Sequence, residues 1–347
     1  VNEIKQSLIE LDPSNAAQYQ LNSDELMARL DQLIDDVSVN FSYLATIDIG
    51  GETAAEISAY DPTTQKLFVT NSEKKGITVV DLSNPSNPVE LTAEFLALGN
   101  INSVAVKDGK LAVAVENDNK QANGKVVVYT TSDLNTPTEY TVGALPDMVT
   151  FTPDGNYLLV ANEGEPNDDY TVDPEGSVSV IELANGMVKT AGFTAFNNQL
   201  TTLRAGGYRV FGPGATLAQD TEPEYIAVSD DSATAWITLQ ENNGIAKLDI
   251  ATATITQIYP LGFKNFASSM NMLDASNRDD VTELKNWPVL GIYMPDAISY
   301  FKTNGTGYLI TANEGDARDY DGYRMQQDKK IYKSRNFLLP DEWVNSN

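Results

Sequence analysis

The sequence contains no cysteine and no histidine, and both absences narrow what its side chains can do. Without thiolate or imidazole, the chain cannot form a Cys nucleophile, a Ser-His-Asp triad, or a zinc or copper site of the usual kind. A bound metal would need oxygen ligands, which suit calcium, magnesium or manganese. The lack of cysteine fits a secreted bacterial protein and a cytosolic one equally well.

Positive charge and long apolar runs are also scarce. Lysines and arginines number 23 against 49 aspartates and glutamates, so the formal net charge is −26. Such a surface repels phosphate backbones, and we expect no nucleic-acid partner. The acidity could serve solubility or bind cations. No apolar run is long enough for a transmembrane segment, and residues 1–20 lack a signal-peptide pattern, so we expect any export signal to precede this numbering.

Two kinds of pattern divide the chain of 347 residues, of which 41% are hydrophobic. Residues 1–38 have a helix-start signal at Asp12-Pro13, and we predict a short helical segment there. Apolar residues recur at helical spacing at Leu26, Met27, Leu30, Leu33, Ile34 and Val37. Residues 39–347 alternate short β-branched runs with Gly, Asn, Asp and Pro, which predicts strands. This part is long enough to bury a sizeable core.

The predicted strands repeat about every 45 residues, a period typical of β-propeller blades. Each unit opens with an acid or amide, passes a tight polar turn and enters a second strand. The five openings are Ala55-Glu56-Ile57, Asn102-Ser103-Val104, Pro146-Asp147-Met148, Pro223-Glu224-Tyr225 and Pro295-Asp296-Ala297. We predict an all-β fold, a β-propeller, with insertions near 184–221 and 263–293. A β-sandwich of short strands is the structural alternative.

The propeller reading places acids around one opening. In a blade, the start of the first strand and the end of the second meet at the same mouth of the channel. The predicted pairs are Glu56 with Asn71, Asn102 with Glu116, Asp147 with Asn162 and Glu163, Glu224 with Glu241, and Asp296 with Asn313 and Glu314. Carboxylates this close raise one another's pKa or bind a cation. Alternatively, the amides cap strand ends and the glutamates face solvent.

The tripeptide Asn-Glu-Gly occurs twice where a second strand ends, at residues 162–164 and 313–315, and more acids follow each copy. Neither loop has EF-hand spacing, so the pattern favours calcium only in part. The candidate metal ligands are Asp147, Asn162, Glu163, Glu224, Glu241, Asp296, Asn313 and Glu314, with loop candidates Asp168, Asp169, Asp173, Asp316 and Asp319. Calcium is the expected ion, ahead of magnesium or manganese, and no organic cofactor is expected.

Four phrases resemble the bacterial choice-of-anchor I proteins, which are similar to the mesenchyme-specific cell surface glycoproteins of sea urchins. The likeness covers about residues 41–330. The phrases span residues 143–155, 160–176 (Val-Ala-Asn-Glu-Gly-Glu-Pro-Asn-Asp-Asp-Tyr-Thr-Val-Asp-Pro-Glu-Gly), 236–243 (Trp-Ile-Thr-Leu-Gln-Glu-Asn-Asn) and 311–320. The resemblance implies an extracellular or surface-attached propeller of the YVTN and WD40-like kind, seven-bladed when complete. Animal relatives are linked with calcified skeletons, and some bacterial members are labelled alkaline phosphatase.

A second resemblance lies at the start of the chain. Residues 7–22 (Ser-Leu-Ile-Glu-Leu-Asp-Pro-Ser-Asn-Ala-Ala-Gln-Tyr-Gln-Leu-Asn) are similar to a helical stretch of zinc and manganese solute-binding proteins of bacterial transporters. The likeness spans only about 35 residues, and the histidine ligands of that family are absent from this chain. We therefore expect a packing helix here and no zinc-binding role.

Three functions are compatible with these patterns. The first is a secreted or cell-surface calcium-binding propeller with a structural, adhesion or matrix role. The second is a metal-dependent hydrolase of phosphomonoesters or lactones, with Glu163 or Glu314 as base and Arg318, Arg204 or Arg209 holding an anionic substrate. The third is an interaction module for a surface glycan, matrix component or protein. In that module, the exposed aromatics would be Tyr170, Tyr320 and Tyr323.

Overall fold

The computed structural model describes residues 43–52, 54–276 and 278–316, then Arg318, Tyr320 and the backbone of residues 337–338. The predicted helical segment over residues 1–38 lies outside this part, and its boundary stays a prediction. By packing, the chain divides into two compact units, residues 1–46 with 85–87 and residues 47–84 with 88–347. All sheets and the candidate site belong to the second unit.

Antiparallel sheets follow one another along the second unit. Sheet 1 contains β1 (Ser58–Asp61), β2 (Lys66–Asn71), β3 (Gly76–Asp81), β4 (Val89–Glu90) and β5 (Leu96–Ala97). Sheet 2 contains β6 (Ile101–Lys107), β7 (Lys110–Val115), β8 (Asn123–Thr130) and β9 (Asp133–Ala144). Sheet 3 contains β10 (Pro146–Phe151), β11 (Tyr157–Asn162), β12 (Ser177–Glu182) and β13 (Met187–Gly192). Sheet 4 contains β14 (Ile226–Val228), β15 (Thr234–Leu239), β16 (Gly244–Asp249) and β17 (Thr254–Pro260).

The remaining strands form two smaller sheets. Sheet 5 is the hairpin of β20 (Pro295–Thr303) and β21 (Thr306–Asn313), and a short three-stranded sheet joins β18 (Lys264–Asn265), β19 (Leu290–Gly291) and β22 (Phe337–Leu338). The sequence pattern predicts second strands at 67–71, 111–116, 158–162, 235–239 and 308–312, and third strands at 77–82, 125–129, 177–183 and 245–250. These agree with β2, β3, β7, β8, β11, β12, β15, β16 and β21 to within about two residues, the usual uncertainty of such boundaries.

The predicted insertion near 184–221 is more ordered than a loop. It supplies β13, the fourth strand of sheet 3, and then a 3₁₀ helix (Thr194–Gln199), α1 (Leu200–Ala205) and α2 (Leu217–Asp220). Thr216 and Gln219 form a reciprocal capping box that starts α2. No helix among the described residues is both long and apolar enough to cross a membrane.

Successive sheets pack face to face in chain order, because alternate residues of each second strand point to opposite faces. In β11, Leu158 and Val160 pack with apolar residues of sheet 2. Leu159 and Ala161 of the same strand pack with sheet 4. The first strands β1, β6, β10, β14 and β20 also contact one another in that order. The prediction of a mostly β fold built from repeated antiparallel units is therefore confirmed.

Candidate functional site

Bulges set the direction of the residues predicted to open the repeats. In sheet 2 the register shifts between Ile101 and Ser103, so Asn102 is an extra residue without a partner on β7. Similar shifts occur at Asp147 in β10 and at Asp296 in β20. A bulge bends its strand and re-aims a side chain. In three sheets, the start of the first strand is therefore shaped to turn a polar residue out of the regular ladder.

Carboxylates at or beside the strand ends of sheets 1, 3, 4 and 5 lie close enough to influence one another. We call the following five residues the acid mouth: Glu56, Asp147, Glu163, Glu224 and Asp296. Asp147 is partly open to solvent, although protein atoms surround most of its carboxyl group. Burial, followed by the charges of Glu56, Asp296 and Glu165, raises the pKa of Asp147 to about 7. The mouth therefore concentrates negative charge that its own residues do not neutralise.

Glu224 and Glu163 share this environment. Burial, followed by the charges of Glu241, Asp147 and Asp296, raises the pKa of Glu224. Burial and then the charge of Asp147 raise the pKa of Glu163 well above its usual value. The structure thus brings Asp147 near Glu163, and Glu224 near Glu241, as the propeller reading expected. Their role as metal ligands stays a prediction.

Asn71 and Asn162 end the second strands of sheets 1 and 3, and both are completely buried. The side-chain nitrogen of Asn162 donates to Ser177 O at 3.2 Å and to Ser179 Oγ at 3.0 Å. That of Asn71 donates to Thr78 Oγ1 at 3.0 Å. Both amides therefore cap strand ends, the alternative that the sequence left open. Asn162 Oδ1 has no hydrogen-bond partner within the described part of the chain.

A buried polar turn, Gln240–Asn243, joins β15 to β16 and ties several segments together. Gln240 Nε2 donates to the backbone oxygen of Glu314 at 2.8 Å, which fixes the second Asn-Glu-Gly loop. Asn242 Nδ2 donates to Asp220 O at 2.8 Å, and Asn242 Oδ1 accepts from the Glu222 backbone N–H at 3.2 Å. Asn243 Nδ2 donates to backbone carbonyls on both sides of the turn. These bonds hold Glu241, the remaining residue of the turn, in a fixed position.

Arg318 reaches from the second Asn-Glu-Gly loop into the interior, and its side chain is only 2% exposed. Its Nη2 donates to Asp220 O at 2.7 Å and forms an ion pair with Glu222 Oε2 at the same distance. Its Nη1 lies 3.4 Å from Asp220 Oδ1, and its Cζ lies 5.5 Å from the centre of the Phe211 ring. The guanidinium is therefore engaged in holding the loops together and is not open to an anionic substrate.

Tyr170 and Tyr320 link the two acidic loops through an edge-to-face contact with ring centres 5.4 Å apart. Tyr320 also donates its hydroxyl to Glu165 Oε1 at 3.1 Å. Burial raises the pKa of Tyr170 to about 12, and it raises that of Tyr320 still further. Both rings pack against neighbouring loops, whereas Tyr323 lies outside the described residues.

The two Asn-Glu-Gly copies contribute differently. In the first, Gly164 has φ of +71°, so the chain turns in a conformation that favours glycine. In the second, Asn313 and Glu314 are exposed, and the loop is fixed instead through Arg318 and Tyr320.

The loop candidates are spread out. Asp168 and Asp169 are exposed, Asp316 is half-buried, and Asp319 lies outside the described residues. Asp173 is half-buried, and burial raises its pKa to about 6 against the opposing charge of Arg318. Burial therefore acts strongly on the Asp173 carboxyl group.

The fit of a metal ion can be tested on the described residues. No group of three or more of their carboxylates is close enough together to hold a metal alone. Three buried carboxylate oxygens, Asp173 Oδ1, Glu222 Oε1 and Glu241 Oε2, nevertheless have no hydrogen-bond partner there. Calcium accepts backbone carbonyls and waters besides carboxylates, so a site with few carboxylates suits it. The oxygen-only donor set therefore fits a hard cation.

Sequence reasoning missed Asp220 and Glu222, the partners of Arg318. Both follow the Thr216–Gln219 capping box and precede the Pro223-Glu224 opening, so they lie between the start of α2 and the first strand of sheet 4. That position, with two acids in three residues, was the available signal. The burial of Arg318 between them could not be read from a pattern of local spacing.

The fold and the site together define an acidic protein of successive antiparallel sheets with a group of carboxylates that influence one another. A comparison with protein families matches residues 56–342 to the choice-of-anchor I domain, and the chain belongs to that family. The sequence resemblance is thereby confirmed over most of the chain. A search of curated proteins finds no match.

Solved structures with a similar arrangement share little sequence. One is a nidogen/laminin complex, with 15% identity and a TM-score of 0.40 over 63% of this chain and 66% of that one. Another is a functionally unknown protein from Desulfotomaculum acetoxidans, with 12% identity and a TM-score of 0.42 over 64% and 62%. A third is an auxiliary nutrient binding protein from Bacteroides thetaiotaomicron, with 12% identity and a TM-score of 0.44 over 77% and 54%. The chain thus spans two thirds or less of each of these proteins.

Proposed function

We propose that this chain is a bacterial cell-surface β-propeller protein whose acid mouth binds calcium in a structural, adhesion or matrix role. The sheets are the blades, and the family resemblance implies seven in the complete ring. Family membership supports the surface location, since the choice-of-anchor description itself refers to anchoring. The glycan, matrix component or protein that it binds would be engaged at the propeller face.

One observation carries the calcium proposal. Glu56, just before β1, and Asp296, at the start of β20, lie close enough to Asp147 for their charges to raise its pKa, so carboxylates far apart in sequence influence one another. Like charges held together destabilise the folded protein unless protons or a cation neutralise them. With no histidine or cysteine in the chain, an oxygen-binding divalent cation is the natural counter-ion.

Calorimetric titration of chelator-treated protein with calcium tests the proposal, with magnesium as the matched ion. We expect calcium binding with a dissociation constant of about 10⁻⁴ to 10⁻³ M, as in other extracellular modules. Calcium at 10 mM should also raise the unfolding temperature, because a ligand of the native state stabilises that state. Absence of both the binding heat and the thermal shift would overturn the proposal.

A further inference from the structure

Glu241 is the unsatisfied member of a turn whose other side chains all have structural partners. Gln240, Asn242 and Asn243 each donate their side-chain amide to backbone oxygens of other segments. Glu241 is only 8% exposed, and its Oε2 has no hydrogen-bond partner within the described residues. Leaving a buried carboxylate oxygen without a partner is costly. The turn therefore holds a carboxylate for a ligand that its own residues do not supply.

Glu222 presents a second oxygen of the same kind. It is 4% exposed, its Oε2 forms the ion pair with Arg318, and its Oε1 has no hydrogen-bond partner among the described residues. Its backbone N–H donates to Asn242, the residue next to Glu241, so the two glutamates are held by one hydrogen-bond network. The charge of Glu241 also acts on Glu222.

One positive charge faces three negative ones here. Arg318 bonds to Asp220 and Glu222, and its charge also acts on Glu241. Charge balance among these four residues therefore leaves a net negative charge in a buried place. Glu224, a member of the acid mouth, lies within the influence of both glutamates, so this region adjoins the mouth.

We propose that Glu222 and Glu241 are the two carboxylates that bind the calcium ion, through Glu222 Oε1 and Glu241 Oε2. The inference rests on the proposed function and assigns its ion to the inner side of the mouth. Two carboxylates supply part of the six to eight oxygens that calcium takes, and backbone carbonyls and waters supply the others. Such a site agrees with the finding that no three carboxylates among the described residues converge.

An ion at this position would join the Gln240–Asn243 turn to the segment that begins at Asp220. Because Gln240 also bonds to Glu314 and Glu222 to Arg318, calcium would stiffen the second Asn-Glu-Gly loop as well. The acid mouth would then attract the ion, and the buried glutamates would retain it.

The test compares calcium affinity by calorimetry in wild type, Glu222→Gln, Glu241→Gln and Asp147→Asn, with Glu175→Gln as control. Glu175 is an exposed glutamate of the first acidic loop. We expect Glu222→Gln and Glu241→Gln each to weaken calcium affinity about tenfold or more, which corresponds to about 1.4 kcal/mol. The Glu175→Gln control should change calcium affinity less than twofold. If wild type binds calcium and both buried variants bind within twofold of it, this inference is wrong while the proposed function stands. If wild type does not bind, the proposed function fails first.

A second measurement needs no variant. Hydrogen exchange of the wild-type protein with and without calcium reports which backbone amides the ion protects. Increased protection at Gln240–Asn243 and at Glu222 supports the buried pair. Protection confined to peptides containing Asp147 and Asp296 would place the ion at the open mouth and overturn the assignment.

Discussion

Aspartates at opposite ends of equivalent hairpins in different sheets have opposite electrostatic environments. At the turn between β1 and β2, burial alone would raise the pKa of Asp61, but hydrogen bonds from Thr131, Thr64 and Thr63 lower it. At the other end of the repeats, burial and neighbouring charges raise the pKa of Asp147. Aspartate thus stabilises the turn at one end of a hairpin, whereas at the other end it lies close to other carboxylates that repel its charge.

The turn end is satisfied in each of three sheets. Asp61 accepts from Thr63 N at 3.0 Å, and Asp154 accepts from Asn156 N at 3.0 Å. Asp231 accepts from Ser229 Oγ at 2.6 Å and Ala233 N at 3.1 Å. In tight turns, an aspartate carboxylate commonly accepts hydrogen bonds from backbone N–H and hydroxyl groups of residues close in sequence. The contrast teaches that local donors satisfy the turn aspartates, whereas burial and like charges dominate the environment of Asp147.

The largest expected effect comes from removing the positive charge of Arg318, which pairs with Asp220 and Glu222. Arg318→Met leaves Asp220 and Glu222 buried without their counter-charge, and breaking such a pair costs about 3–5 kcal/mol. Urea unfolding at pH 7 measures the loss of unfolding free energy. Arg318→Lys keeps the charge but loses the two-pronged hydrogen bonding, so it should fall between wild type and Arg318→Met. A loss below about 1 kcal/mol for Arg318→Met would show that this pair stabilises little.

The pH dependence of stability sharpens the comparison next. In calcium-free protein, folded Asp147 keeps its proton up to about pH 7, whereas the unfolded chain releases it near pH 4. The folded state then binds more protons, so unfolding free energy falls as the pH rises through that window. Asp147→Asn removes this slope and should gain about 2 kcal/mol over wild type between pH 5 and pH 8, once partial exposure is allowed for. Urea unfolding in the presence of a chelator measures the unfolding free energy of both proteins at each pH. If wild type and Asp147→Asn showed the same change with pH, the prediction would be contradicted.

The turn end should respond with the opposite sign. Asp61→Ala loses the hydrogen bonds to Thr63 and Thr64 and should cost about 1 kcal/mol at pH 7. Because the folded pKa of Asp61 is lowered, its contribution is present above the unfolded value and disappears as the pH falls through the folded one. Unfolding of wild type and variant at pH 7 and pH 3 measures the difference. A gap that widens at pH 3 would refute the assignment.

Local patterns predicted the strands well, because turn residues and two-residue alternation act over a few positions. The same alternation also indicates the direction of the Asn162 side chain. Asn162 lies on the same face of β11 as Leu158 and Val160, which pack toward sheet 2. Alternation therefore predicts that its amide points into the protein, where it donates to Ser179. Strand periodicity, carried one residue further, would have separated the strand-capping amides from the mouth acids.

The candidate site was harder to predict, because its contacts join distant segments. Arg318 pairs with Asp220 across 98 positions, and Gln240 bonds to Glu314 across 74. No spacing rule links such residues, and their burial depends on how three loops pack. The acidic or amide residues that open the repeats could be predicted because they recur at the same position in each repeat. The buried positive charge, Arg318, occurs once among the described residues.

The smallest effect is expected where the two Asn-Glu-Gly copies differ. Glu163 lies in the acid mouth, whereas Glu314 is exposed and contributes its backbone oxygen to Gln240. Glu314→Gln leaves that backbone bond intact, so it should change unfolding free energy by less than about 0.5 kcal/mol. Calcium affinity should likewise stay within twofold of wild type, in contrast to Glu163→Gln, which removes a mouth charge. An equal loss of affinity in both variants, measured by calorimetry, would mean that the two copies bind the ion together despite the exposure of Glu314.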